Sequence, residues 1–203
     1  MNTFPARLAL VIPLAAINTV GYLVANEYPL FARSDLPLTA IDRALPFLVW
    51  TVWPYAMLLL ADVVLPFLVR DRALFNRMLL AYGIAIGTNF LVWSLFPTAI
   101  ARPDLPSGES LSEAAYRLLV AIDGAGNCFP SGHITIPSVG IWALSCEWRR
   151  HRVALWLVLA LFSLSILTTK QHYVADLLGG FATAILGIAL SERLTVRRSL
   201  SHA

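Results

Sequence analysis

Charge is what this chain has least of. Only 13% of its 203 residues are Asp, Glu, Lys or Arg, where about 25% is usual for a soluble domain, and 58% are hydrophobic, with a mean hydropathy of +0.71. That composition excludes a soluble globular domain. Lysine is nearly absent, Lys170 being the only one. Two cysteines exclude a disulfide framework. Cys128 and Cys146 would stand about 27 Å apart on a helix, beyond disulfide reach. No repeat, low-complexity run or linker breaks the chain, so it reads as one domain over residues 1–203. It carries no cluster of metal ligands, and neither a metal nor another cofactor is expected. The net charge of +3 calls for no nucleic-acid partner, because anionic inner-leaflet lipid accounts for the placement of the arginines.

What the chain has is long apolar runs. Six segments, near residues 7–26, 47–69, 78–100, 133–148, 153–169 and 173–191, approach the roughly 20 residues that a membrane crossing needs. Two of them are short, which tilt or local thinning accommodates. The expected fold is an all-α polytopic bundle of six transmembrane helices. The first segment has the charged start and apolar middle of a secretory leader, but its length and the need for a second span of opposite direction favour a retained signal-anchor. Basic residues fall unevenly between alternate loops: Arg7, Arg70, Arg72, Arg77, Arg149, Arg150, Arg152, Arg193, Arg197 and Arg198 on one side, Arg33, Arg43, Arg102, Arg117 and Lys170 on the other. The positive-inside tendency then puts both termini in the cytoplasm and the loops 27–46 and 101–132 outside.

Within the second outer loop, Ser110-Leu111-Ser112-Glu113 has the spacing of a capping box. Leu111, Ala114, Ala115, Leu118, Leu119 and Ile122 continue it as a helical stripe. A short amphipathic helix is expected here, either lying on the outer interface or packed against the bundle. Trp50, Trp53, Tyr55 and Trp93 read as interface anchors. Pro46, Pro54 and Pro66 predict a bent second span, and Asn89 a packing hydrogen bond. Asp62 lies inside a span, where a carboxylate is costly; a structural hydrogen bond is expected for it. Asp42 and Arg43 are either headgroup contacts or a solvated pair.

Two polar clusters stand out of this apolar background. His172 and Asp176 are spaced i, i+4 at the start of the last span and share a helix face. A carboxylate on one ring nitrogen fixes the tautomer and leaves the other free to attack or to take a proton; the plainer reading is a pair that staples two helices. Ser131-Gly132-His133 opens the fourth span, where a helix N-terminus offers free N–H groups to an anion. Gly132 permits close approach, Ser131 donates a hydroxyl, and His133 can protonate a departing alkoxide. A phosphate suits that set, although alone the tetrapeptide is only a helix start.

Together the clusters resemble the type 2 phosphatidic acid phosphatase (PAP2) superfamily of membrane lipid phosphatases and phosphotransferases. Its Pro-Ser-Gly-His element matches at Pro130 to His133, its His-x-x-x-Asp element at His172 and Asp176, and its Arg-Pro element at Arg102-Pro103. The resemblance implies six spans and an outward-facing site. It also implies attack on phosphorus by His172, orientation of His172 by Asp176, protonation of the leaving group by His133, and a phosphate held by Ser131, Gly132 and Arg102. Two family cations are missing: Leu95 stands where a Lys is usual and Ile166 where an Arg is usual. Lys170 is a candidate substitute, its alternative role being to snorkel to the interface. The run His172-Tyr173-Val174-Ala175-Asp176 resembles more closely the sphingomyelin and inositol-phosphorylceramide synthase branch, whose His-Tyr-x-x-Asp also lacks that Arg. The expected activity is hydrolysis of a lipid phosphate ester in the bilayer through a phosphohistidine. The alternatives are headgroup transfer to ceramide, diacylglycerol or another alcohol, or a non-catalytic lipid transporter or scaffold.

Overall fold

The computed structural model describes residues 3–201, with side chains to residue 195; Arg197 and Arg198, counted above for orientation, have side chains beyond that limit. The eight α-helices are α1 Phe4–Glu27, α2 Ala40–Ala44, α3 Val52–Leu68, α4 Arg72–Leu95, α5 Leu111–Ile122, α6 Gly132–Glu147, α7 Arg152–Thr168 and α8 Val174–Ser201. The protein is an all-α polytopic integral membrane protein. Among the described residues, five helical stretches are long and apolar enough to cross a bilayer: Phe4–Glu27, Val49–Leu68, Arg72–Leu95, Arg149–Thr168 and Val174–Thr195.

The sixth expected span is shorter than its neighbours. α6 has 16 residues, about 24 Å of helix against a hydrocarbon core near 30 Å. Yet its ends meet the ends of α4. Pro130, just before α6, accepts from Trp93 Nε1 at 3.1 Å, and Glu147 at its close accepts from the Arg70 amide at 2.8 Å. α6 is enclosed by α3, α4, α7 and α8, so most of its surface faces protein, and Ile134 to Ile141 are buried without a break.

α8 packs closest to its neighbours because of its glycines. A Cβ on Gly180 would come within 2.6 Å of the Ser131 carbonyl oxygen, and one on Gly187 within 2.6 Å of the Ala81 carbonyl oxygen. Small residues let apolar helices associate by backbone contact where lipid supplies no hydrophobic drive. Apolar side chains fill the rest: Phe75, Met78, Tyr82, Ile136, Val139 and Leu144 toward one end, Tyr55, Leu58, Ile134, Ile166 and Leu167 toward the other.

The loops at the α6 N-terminal end are sewn together by backbone. Two-residue parallel strands, β1 Ser34–Asp35 and β2 Thr98–Ala99, pair Ser34 with Thr98 and Asp35 with Ala99. The chain before α6 joins them: Asn127 N–H donates to the Thr98 carbonyl at 2.8 Å and Ile100 N–H to that of Ala125 at 3.2 Å. This patch fixes Arg102 and Asp123 relative to α6. α5 forms over the expected residues behind its capping box, Ser110 Oγ accepting from the Glu113 amide at 3.3 Å and Glu113 Oε2 from the Ser110 amide at 3.0 Å. Leu111, Leu118 and Ile122 are exposed while Tyr116 is buried, and Leu119 packs on the core below, so the helix presents apolar surface outward while it also covers the bundle.

Candidate active site

α6 and α8 start at the same end of the bundle and bring the two sequence clusters together. Ser131 N–H donates to the Asp176 carbonyl at 3.1 Å, and the rings of His133 and His172 lie 5.5 Å apart, edge to face. His172 Nδ1 sits 3.2 Å from Asp176 Oδ2, which also accepts from the Tyr173 amide at 2.8 Å. Both residues are buried, Asp176 completely. With Nδ1 engaged, Nε2 is the free nitrogen of His172.

His133 has a carboxylate of its own, one that sequence reasoning missed. Asp123, at the end of α5, places Oδ2 3.5 Å from His133 Nε2 and 3.9 Å from an Arg102 nitrogen. Tyr55 donates to the same oxygen at 3.2 Å, and Tyr22 of α1 donates to Oδ1. Burial alone would raise the Asp123 carboxyl. The hydrogen bond and charge of His133, followed by Tyr22 and Arg102, outweigh it and hold the group well below the usual carboxylate range. In the sequence Asp123 simply follows the apolar stripe of α5, off its face. The signal that points to it is a charged residue at the C-cap of an interfacial helix, a few residues before Pro-Ser-Gly-His. Tyr55 and Trp93, expected as interface anchors, are buried here instead, each 1% exposed, because their polar tips serve Asp123 and Pro130. Trp50 and Trp53 remain exposed.

The expected phosphate ligands are distributed unevenly. Gly132 lines the same cavity as the histidines, and a Cβ there would meet only the Trp93 ring, at 3.5 Å. Ser131 Oγ is fully buried with no hydrogen-bond partner, as are both side-chain polar atoms of neighbouring Asn127. Arg102 donates through Nη1 and Nη2 to the Asp123 and Gly124 carbonyls, the latter at 2.9 Å, and its Nε has no partner. Unpaired buried donors are unusual, and an anion placed here would supply the acceptors they lack.

Lys170 does not stand among these groups. Its ammonium donates to the carbonyls of Asp42 and Leu45, at 2.8 and 2.7 Å. The carbonyls at the end of the short α2 draw it there, whereas its two expected roles were a phosphate ligand and a snorkel to the interface. Ile166 is fully buried in the core and Leu95 is exposed, so the two positions of the missing cations are apolar packing and exposed apolar surface. Asp42 is neither a headgroup contact nor a solvated carboxylate: buried, it caps α2 and accepts from the Val174 amide at 2.8 Å, which holds the start of α8. Asn89 does make the packing bond expected of it, to Thr135 Oγ1 at 3.1 Å, whereas Asp62 Oδ1 has no partner.

Two carboxylate-backed histidines over an apolar cavity, with unpaired donors beside them, make a site for phosphate-ester chemistry. The PAP2 superfamily profile matches residues 23–190, a stretch that holds every residue of the site described above except Tyr22. The chain belongs to the PAP2 superfamily, a family of phosphatases and phosphotransferases acting on phosphate esters. No curated protein and no solved structure matches it.

Proposed function

We propose that the protein cleaves the phosphate ester of a lipid at the outer membrane face by way of a phosphohistidine, and that water completes the reaction. The observation that carries this reading is the 5.5 Å approach of the His133 and His172 rings at a cavity lined almost wholly by apolar side chains. His172 Nε2 attacks phosphorus while Asp176 stabilises the charge that develops on the ring. The phosphorus–oxygen bond to the lipid alcohol breaks, and His133, kept charged by Asp123 at Nε2, passes the proton on its other ring nitrogen to the departing oxygen. Water then adds to phosphorus, His133 recovers its proton from it, and phosphate leaves. Ser131, the Gly132 amide and Arg102 stabilise the phosphoryl oxygens. Positive charge on the Arg70 and Arg149 side supports cytoplasmic termini, six crossings and an outward site.

A second reading, headgroup transfer to an alcohol, is favoured by the charge of the site. Arg102 is its one arginine, Lys170 is engaged elsewhere, and Asp123 adds an anion. A doubly charged monoester binds less well to such a site than a singly charged diester, since each charge-assisted bond contributes about 1.5–3 kcal/mol. The test is to incubate the purified protein with a labelled lipid monoester or diester, with and without ceramide, diacylglycerol or inositol. Release of label to water without added alcohol supports hydrolysis; label appearing only on the alcohol replaces it with transfer. Turnover that survives His172→Ala unchanged removes the phosphohistidine at His172, and no turnover of any lipid phosphate by the wild type leaves the transporter or scaffold reading.

A further inference from the structure

Below the histidines a cavity of about 510 Å³ descends between α1, α3, α4 and α6. Below the site residues its walls are aliphatic and aromatic apart from Asn18 and Thr19 on α1, Asp62 on α3 and the hydroxyl of Tyr82 on α4. Asn18 Oδ1, Asp62 Oδ1 and the Tyr82 hydroxyl are all shut away from solvent without a hydrogen-bond partner. Asn89 Oδ1 and Ser138 Oγ are also unpartnered, but neither residue lines this cavity. The three orphans come from three different helices and border one space.

Their depth follows from helix geometry. Tyr22 and Tyr55 both reach Asp123 at the top of the cavity. Asn18 lies one turn below Tyr22 on α1, about 6 Å down, and Asp62 lies two turns below Tyr55 on α3, about 10 Å down. We propose that the cavity receives the hydrocarbon part of the substrate, and that Asn18, Asp62 and Tyr82 form a polar subsite for a hydroxyl group carried on that chain below the phosphate. The proposal rests on the lipid phosphate reading above. A hydroxyl matches the set, because it donates to an amide or carboxylate oxygen and accepts from a phenol. Sites built to bond a hydroxyl discriminate against the analogue that lacks it, since the analogue leaves their polar groups unpaired.

The experiment uses linear long-chain alkyl phosphonates of one length, either unsubstituted or carrying a single hydroxyl moved stepwise along the chain. Dissociation constants are measured on the full-length protein in detergent. The matching alkyl phosphates are assayed in parallel for kcat/KM. Wild type should bind the mid-chain hydroxyl about tenfold or more tighter than the plain chain, with a maximum at one position. That preference should collapse toward unity in Tyr82→Phe, which keeps the ring, and in Asp62→Leu. A flat response of the wild type to hydroxyl position overturns the subsite and leaves those side chains to water. The two readings separate cleanly: hydroxyl-dependent phosphonate binding without hydrolysis of any phosphate removes the hydrolase and keeps the subsite. Equal hydrolysis of plain and hydroxylated chains does the reverse.

Discussion

The two histidines of the site are held by carboxylates of opposite origin. His172 lies two residues before α8 rather than on its face, Asp176 stands in the first turn four residues on, and Asp176 is further fixed by the Tyr173 amide. His133 depends on Asp123, which arrives from the end of α5 and is held in turn by Tyr22 of α1, Tyr55 of α3 and Arg102 of the loop after β2. The first pair forms wherever α8 begins; the second requires α1, α3, α5 and α6 to be assembled. On the proposed mechanism the attacking group is therefore prepared locally, and the acid is prepared by the tertiary fold.

Breaking the local pair should have the largest effect. His172→Ala should lower kcat on the order of 10⁴-fold or more and abolish acid-labile labelling of the protein by lipid phosphate. Asp176→Asn should cost about 10²–10⁴-fold with substrate affinity little changed, because orientation and charge support are lost while the phosphate ligands stay. Labelling that persists in His172→Ala would assign the nucleophile elsewhere.

Breaking the assembled pair should cost less and leave a different signature. Asp123→Asn is expected to lower kcat about 10–100-fold, and the wild-type profile should be bell-shaped between about pH 5 and 8. Its alkaline limb should move to lower pH in the variant, since a neutral amide no longer favours a charged ring beside it. Stability should change as well. Asp123 is held below the usual carboxylate range, so its contribution is complete above the unfolded value near 4 and is lost as pH falls through the folded one. Acid melting curves should therefore show wild type losing its advantage over Asp123→Asn below about pH 4. An unmoved alkaline limb would reduce Asp123 to a helix-end contact.

Tyr55→Phe sharpens the comparison at lower amplitude. It removes one 3.2 Å bond to Asp123 while Tyr22 and Arg102 remain. A net loss of about 1 kcal/mol in transition-state stabilisation corresponds to roughly fivefold in kcat/KM. Combined with Asp123→Asn, the tyrosine change should add nothing, the mark of two residues acting through one contact.

Legibility in the sequence divides along the same line. The helices, the capping box of α5 and the His172–Asp176 pair are set by periodicities of three to four residues, which a reader of the chain can count. Ser131 and Gly132 announce themselves as a helix start. Asp123 did not, because nothing local distinguishes a C-cap carboxylate bonded to a tyrosine 101 residues away from one facing solvent. Tyr55 and Trp93 misled for a related reason. An aromatic with a polar tip near a helix end suits the membrane interface and a buried hydrogen bond equally well, and only the neighbours decide. α6 was expected at its place but is shorter than a full span, since enclosure by four helices relieves it of facing lipid along its length.

Lys170 carries the smallest expected effect on chemistry and the clearest structural one. α7 ends in a Schellman arrangement, with the Gln171 amide donating to the Ile166 carbonyl at 3.1 Å and the Lys170 amide to that of Leu167 at 3.2 Å. Lys170 occupies the left-handed position, φ 55°, that glycine usually takes, at a cost of about 1–2 kcal/mol. Its ammonium offsets that cost by binding the Asp42 and Leu45 carbonyls, which ties α2 to the turn two residues before His172. Lys170→Met keeps the backbone strain and loses both bonds, so it should lower stability by about 1–3 kcal/mol. Lys170→Gly loses the bonds but relieves the strain, and should fall between Met and wild type. Neither should raise KM for a lipid phosphate more than about twofold, a result that thermal unfolding and steady-state assays on the same preparations can check. A KM rise of tenfold or more in both variants would return Lys170 to the phosphate.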